Sequence, residues 1–149
     1  MLAAYEANLA LSRKYNVQIG LRGMNNRPVG MAYFRHSGMR TIMAREARAI
    51  GSMSLAETAV SNTVEGVDHL WLAVDLDVLD SSDTPNWDWS DPNGLVAGDI
   101  PETAYLAGKS GKLCGVWLMM IGGMIASVQR IAVWIIMYAL AGYAEAKRG

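Results

Sequence analysis

The stretch from Leu72 to Leu95, LAVDLDVLDSSDTPNWDWSDPNGL, constrains this chain more than any other. An apolar run, HLWLAV at 69–74, leads into Asp75-Leu76-Asp77, and a third carboxylate follows at Asp80. The loop beyond carries Pro85, Trp87, Trp89, Pro92 and Gly94. A short, continuous apolar run bounded by polar residues predicts a strand buried on both faces, the kind found in parallel sheets. Residues two apart in a strand point to the same side. Asp75 and Asp77 are therefore expected to project together, with Leu76 turned into the core. Two carboxylates held that close repel each other unless one is protonated or a cation bridges them. Carboxylate oxygens suit Mg, Ca or Mn, and added imidazole ligands admit Ni, Zn or Fe. The spacing alone is equally met by one carboxylate capping a turn and the other standing in water.

The rest of the chain alternates helices and apolar strands. Residues 2–14 read as a helix, rich in Ala and Leu and closing on Arg13 and Lys14. VQIGL at 17–21 predicts a buried strand, and Asn25-Asn26-Arg27-Pro28 a loop. Residues 29–38 are expected to be helical up to Gly38, 41–44 a short strand, and 44–50 a short helix ending at Gly51. A second helix over 52–67 carries Ser54 and Glu57 at capping-box spacing. Beyond the long loop, Pro101 predicts a helix start, and Gly108 to Lys112 its end. Leu113 to Ile121 predicts a fourth strand and 126–147 a terminal helix. Four apolar strands separated by helices predict an α/β fold, three layers α/β/α about one parallel sheet, within a single domain spanning 1–149. Ligands of such sheets sit at the carboxyl ends of the strands, where Asp75 and Asp77 fall.

Charge is distributed unevenly. Net charge is −1, which offers no general argument for nucleic acid. Residues 1–50 hold eight of the 13 Lys and Arg, whereas residues 65–102 hold ten acids and no Lys or Arg. That acidic stretch suits a metal or a cationic substrate. The single cysteine, Cys114, excludes an internal disulfide framework and points to a reducing, cytoplasmic setting. Lying in an apolar run, it is expected in the core. The N-terminus lacks the basic and apolar regions of a signal peptide. Arg130 divides the apolar stretch 113–144 into runs each short of the roughly 20 residues of a membrane-spanning helix, so a buried strand and helix are expected there.

Leu72 to Leu95 resembles the third signature of the ureohydrolase family: arginase, agmatinase, formiminoglutamase and guanidino-acid hydrolases. That signature reads approximately S-F-D-I-D-x-x-D-P-x-x-x-P-G-T-G-x-P-x-x-G-G-L. Asp75, Asp77 and Asp80 match its acids, and Pro85, Gly94 and Leu95 match without a gap. VQIGLRG at 17–23 is similar to the family's strand ending in I-G-x-R. The resemblance covers nearly the whole chain and the C-terminal half of a typical member. It implies an arginase-like parallel sheet, of which this chain would hold about half. It also implies a binuclear divalent-metal centre, Mn in most members and Ni or Zn in some, whose bridging hydroxide attacks a guanidino-type carbon. Asp75 and Asp77 would be metal ligands, and Asp80 would fix the loop or a ligand.

Departures from the family pattern are equally specific. The family's G-G-D-H and D-A-H-x-D motifs do not occur, and the only histidines are His36 and His69. Met119-Met120 stand where the family's last strand ends in a substrate-binding Glu. Pro85-Asn86-Trp87-Asp88 replace P-G-T-G, and Ser81 replaces Pro. Trp87 and Trp89 suit either an aromatic wall against a cationic guanidine or packing against a neighbouring subunit. Asp88 and Asp91 are candidates to supply the missing charge, so Trp87, Asp88, Trp89 and Asp91 form the candidate substrate loop. The expected function is metal-dependent hydrolysis of C–N bonds in a small cationic guanidino compound, with this chain incomplete by itself. The alternative is a non-catalytic subunit in a homo- or hetero-oligomer. No nucleic acid or membrane partner is expected.

Overall fold

The computed structural model describes residues 14–23, 28–85, 87–89, 91–122 and 126–148. The helix expected over 2–14, apart from Lys14, which lies in a turn, and most of the loop at 25–28 lie outside them. The described elements are β1 (Val17–Leu21), α1 (Pro28–His36), β2 (Arg40–Met43), α2 (Ala44–Ile50), α3 (Ser52–Val64), β3 (Leu70–Asp75), α4 (Asp99–Lys109), β4 (Leu113–Met119) and α5 (Ala126–Ala146). All described strand pairing is parallel, and the fold class is α/β as the sequence predicts.

The single four-stranded sheet does not form. β1 pairs with β2 and β3 pairs with β4, giving two two-stranded sheets. The described residues contain no strand to join β1 to β3, so those edges carry no ladder. The two sheets meet instead at their carboxyl ends. There Gly20, at φ +91°, lies so close under Val78 that a Cβ would collide with that side chain. Each sheet has its own core. Ile42, Ala47, Leu55 and Leu95 are buried beside the first. Val74, Leu76, Leu79, Ile100, Ala104, Val128, Ala132, Ile135 and Ala139 are buried beside the second. Helix α3 packs on α4 and touches β1, linking the two cores.

Helix α5 runs unbroken through Arg130, satisfies the length and composition of a membrane-crossing helix, and is only 28% buried over its most apolar stretch, so the expected buried helix is mostly open. Its buried stripe, Val128, Ala132, Ile135, Ala139 and Gly142, has the 3–4 residue spacing of a helix lying on a core. It crosses α4 at very close range. Gly108 meets the backbone of Ala139 and Tyr143, and Gly142 meets the backbone of Tyr105 and Lys109. Gly108 is therefore an internal contact of α4, which ends one residue later at Lys109, within the 108–112 segment expected to close it. The rest of the α5 surface exposes Val133, Trp134, Ile136, Met137, Leu140 and Tyr143.

Other local expectations shift for physical reasons. Helix α3 starts at Ser52, and Gly51 at its N-terminus makes no side-chain cap, so Ser54 and Glu57 form no capping box. The Ser52 hydroxyl instead donates to Asp99, which also accepts from the Val96 N–H. Helix α4 begins at that buried residue, two residues ahead of Pro101. Helix α3 ends at Val64, where Lys112 donates to the Val64 and Val67 carbonyls. Cys114 is exposed, not buried. The β3–β4 register shifts between Leu70 and Trp71, leaving Cys114 opposite no β3 residue, with its thiol directed at the Leu70 carbonyl.

Candidate metal centre

Strand β3 ends at Asp75, and Leu76–Val78 turns as one unit of 3₁₀ helix. Asp77 is thus delivered by a turn and not by the strand itself. Leu76 is fully buried, as the alternation predicts. The two carboxylates still face each other. Burial raises the Asp77 carboxyl above its ordinary range, and Asp75, close enough to hydrogen-bond it, raises it further; Arg22 acts in the opposite direction. One oxygen of the pair, Asp75 Oδ1, is buried with no hydrogen-bond partner. A buried acceptor without a donor is costly unless something electropositive meets it.

Asp80 is in the reverse condition. It accepts from the Ser82 N–H at 3.0 Å, the Ser82 hydroxyl at 2.8 Å and the Gly94 N–H at 3.0 Å. These donors, Ser82 foremost, hold its carboxyl below the ordinary range. The loop closes at this neck. Leu95 N–H donates to the Val78 carbonyl at 2.9 Å, and Asp80 N–H to the Leu95 carbonyl at 2.8 Å. Asp83 accepts from the Ala97 N–H at 2.6 Å. Asp80 is committed to loop closure and has little left to offer a ligand.

The loop residues separate. Trp87 is 7% exposed and packs in the second core, its indole against Gly122. Its ring faces protein. Trp89 is 64% exposed, and Asp88 and Asp91 are exposed with it. Met119 pairs with Asp75 in the ladder, and Met120 follows at φ +55°, an uncommon conformation for a residue with a side chain. His69 precedes β3 at the end opposite Asp75 and is exposed; His36 ends α1, its ring bonded to the Ala32 carbonyl. Arg22, noted in the sequence only as the Arg of VQIGLRG, takes a role that the sequence alone does not assign it. It follows β1 directly and donates to the carbonyls of Asp77 and Leu79, both at 2.9 Å, Asp91 at 3.0 Å and Pro92 at 3.3 Å. An Arg one residue past a predicted strand of such a sheet was the available signal.

Carboxylate oxygens and an orphaned buried oxygen suit a hard divalent cation in donor chemistry. In number they do not make a complete site. Among the described residues no three His, Cys, Asp or Glu side chains are grouped closely enough to hold a metal ion. The pair forms one corner of such a centre.

A parallel α/β fold with its acidic site at the carboxyl ends of the strands is the class this geometry defines. Within that class the chain belongs to the arginase family, whose family model matches residues 1–116. It is 26% identical over 106 residues to a formimidoylglutamase of Halalkalibacterium halodurans, covering 71% of this chain and 33% of that protein. It is 31% identical over 84 residues to the proclavaminate amidinohydrolase of Streptomyces clavuligerus, covering 56% of this chain and 26% of that protein. In fold it resembles the formimidoylglutamase of Bacillus subtilis, with a TM-score of 0.80 and 20% identity over 89% of this chain and 42% of the other. A Trypanosoma cruzi formiminoglutamase solved with Mn2+ gives 0.80 and 21% over 96% and 48%. The chain matches less than half the length of each of these relatives.

Proposed function

We propose that this chain supplies the carboxylate corner of a metal-dependent hydrolase that cleaves C–N bonds in guanidino-type compounds, releasing urea or an analogue. The chain would be the C-terminal part of an arginase-like domain, incomplete by itself. The observation that carries this reading is the Asp75–Asp77 pair, with its unpartnered buried oxygen beside a carboxyl raised by burial and by its neighbour. The Mn2+ in the T. cruzi relative supports a divalent ion. Mn is the first choice and Ni the second, in a binuclear centre that donors from outside the described residues would complete. When bound, such an ion makes a nucleophile of water at neutral pH.

The chain's own residues then have distinct parts. Asp75 and Asp77 would hold the ion. Asp80 closes the loop that follows them. Trp89, Asp88 and Asp91, exposed on that loop, face a planar cationic group. The names of the two sequence relatives favour an amidino or formimidoyl substrate. Met119, beside Asp75 in the ladder, offers no charge to such a group, so recognition falls to the loop. The single thiol fits a cytoplasmic setting.

The test is activity with the domain completed. The 149-residue chain alone is expected to release no urea from any guanidino compound with Mn2+ or Ni2+ added. Joined to the N-terminal half of an active relative it is expected to turn over, and Asp75→Ala to abolish that. Turnover by the chain alone overturns the reading. Met119, an uncharged side chain beside Asp75 in the ladder, favours a second reading, a non-catalytic subunit of an oligomer. On that reading the completed protein binds an active partner and stays inactive.

A further inference from the structure

Asp75 and Asp77 sit on different kinds of backbone. Asp75 ends a strand held by the β3–β4 ladder, whereas Asp77 lies in a single 3₁₀ turn outside any ladder. Such a turn has poorer hydrogen-bond geometry than the strand before it. Something beyond the turn must therefore set where the Asp77 carboxylate points. Among the described residues, the side chain that grips this turn from outside is Arg22.

We infer that Arg22 is the positioning residue of the Asp75–Asp77 pair: by binding the carbonyls of Asp77, Leu79, Asp91 and Pro92 at once, it fixes the angle at which Asp77 meets Asp75. This rests on the metal reading above. The grip has three anchors. The guanidinium is carried by the end of β1, one residue past the Leu21–Met43 pair of the β1–β2 ladder. One nitrogen, Nη2, reaches the Asp77 carbonyl within the turn, the Leu79 carbonyl just beyond it and that of Asp91, while Nε reaches Pro92 on the returning limb of the loop. Gly20 seats the strand end against Val78, the last residue of the turn, where any side chain would hold the two apart.

A planar fork is the group that can do this. Arg presents five donors in fixed directions, whereas Lys has three on one rotating nitrogen and cannot serve Nε and Nη2 acceptors together. The carbonyls of Asp77, Leu79, Asp91 and Pro92 are all backbone groups, so these four bonds do not depend on which side chains the loop carries. Trp89, Asp88 and Asp91 can vary with the substrate while Asp77 stays in place. The Arg22 charge by itself would weaken cation binding by repulsion. Its benefit to a metal site must therefore come through geometry, and Arg22→Lys, which keeps the charge, isolates that benefit.

The experiment uses the full chain with Mn2+ alone, free ion being counted by electron paramagnetic resonance, alongside hydrogen exchange and far-UV circular dichroism. Two carboxylates should take up Mn2+ with a dissociation constant on the order of 1 mM. Arg22→Lys is expected to stay folded, to weaken uptake about tenfold, and to speed exchange at 76–79 and 91–95 without changing it in β2. A folded Arg22→Lys with wild-type uptake overturns the inference and leaves the metal reading standing. No uptake by the wild-type chain overturns the metal reading, and Arg22's part with it. Should Arg22→Lys unfold, Arg22→Gln is the second variant. Loss of the fold in both assigns Arg22 to the fold and overturns the inference.

Discussion

Asp77 and Asp80 lie three residues apart, and their surroundings pull their carboxyls in opposite directions. Asp80 is met by three hydrogen-bond donors and held in its charged form. Asp77 is half-buried beside a second carboxylate, and its charged form is disfavoured. One acid is complete within this chain; the other makes sense only with a cation. The same contrast recurs on the two faces of the β3–β4 sheet. Val74 is buried under α4 and α5 on one face, while Trp71 and Trp117 are each 57% exposed on the other. Parallel strands are ordinarily covered on both faces. Asp75 shares the open side with Trp71 and Ala73 by strand alternation. The electrostatic want and the uncovered surface adjoin.

Activity gives the largest test of this division. In a completed, active protein Asp77→Asn is expected to lower kcat by more than about a hundredfold. Asp80→Asn, acting only through the loop, should fall within the roughly 10–100-fold range of groups that orient ligands. Equal losses in kcat would erase the distinction. Next is Gly94→Ala. A Cβ there would stand 2.5 Å from the Asp80 nitrogen and the Leu79 carbonyl carbon. Backbone cannot yield cheaply, so about 1–3 kcal/mol of stability should be lost, measured by urea unfolding.

Smaller, but sharper in sign, is the stability of the two Asn variants at pH 7. Asp80→Asn is expected to destabilise by about 1 kcal/mol, discounted for exposure. Asp77→Asn, which removes an ill-placed charge, should stabilise by about 0.5 kcal/mol on the same discount. Their pH dependence should be opposite as well. The folded value of Asp80 is depressed, so its contribution is present above the ordinary carboxyl pKa of about 3.9 and lost as pH falls through the folded value. The folded value of Asp77 is raised. Its contribution is present below about 3.9 and lost as pH rises through the folded value. The gain from Asp77→Asn should thus vanish in acid. Unfolding curves at pH 3 and pH 7 test this, and parallel behaviour of the two variants would break the comparison. Smallest in stability is Trp117→Gln on the open face, expected within about 0.5 kcal/mol. It should nonetheless reduce self-association in sedimentation.

The sequence made legible what depends on near neighbours. The apolar strands, the carboxylates at the end of β3 and the burial of Leu76 follow from alternation over a few residues. What it hid depends on distant contacts. Arg22 reaches partners 55 to 70 residues away, and such hydrogen bonds leave no periodic trace. Trp87 and Trp89 look equivalent in a loop, yet one fills a core and the other faces outward, because loop side chains obey no fixed period. Cys114 left the core through a one-residue register shift, which flips a side chain without changing composition. The split sheet was hidden for the same reason: strands can be read one at a time, whereas pairing requires a neighbour.

The uneven burial of the tryptophans also equips this protein with an optical gauge. Trp87 is already enclosed, so its emission should be blue-shifted and nearly constant. Trp71 and Trp117 stand on the open sheet face and should emit to the red. Whatever polypeptide comes to cover that face should draw their emission toward the blue. Trp89 and Trp134, exposed elsewhere, supply a background that single Trp→Phe replacements can subtract. Completion of the site can then be followed in real time, with no substrate, metal or label added.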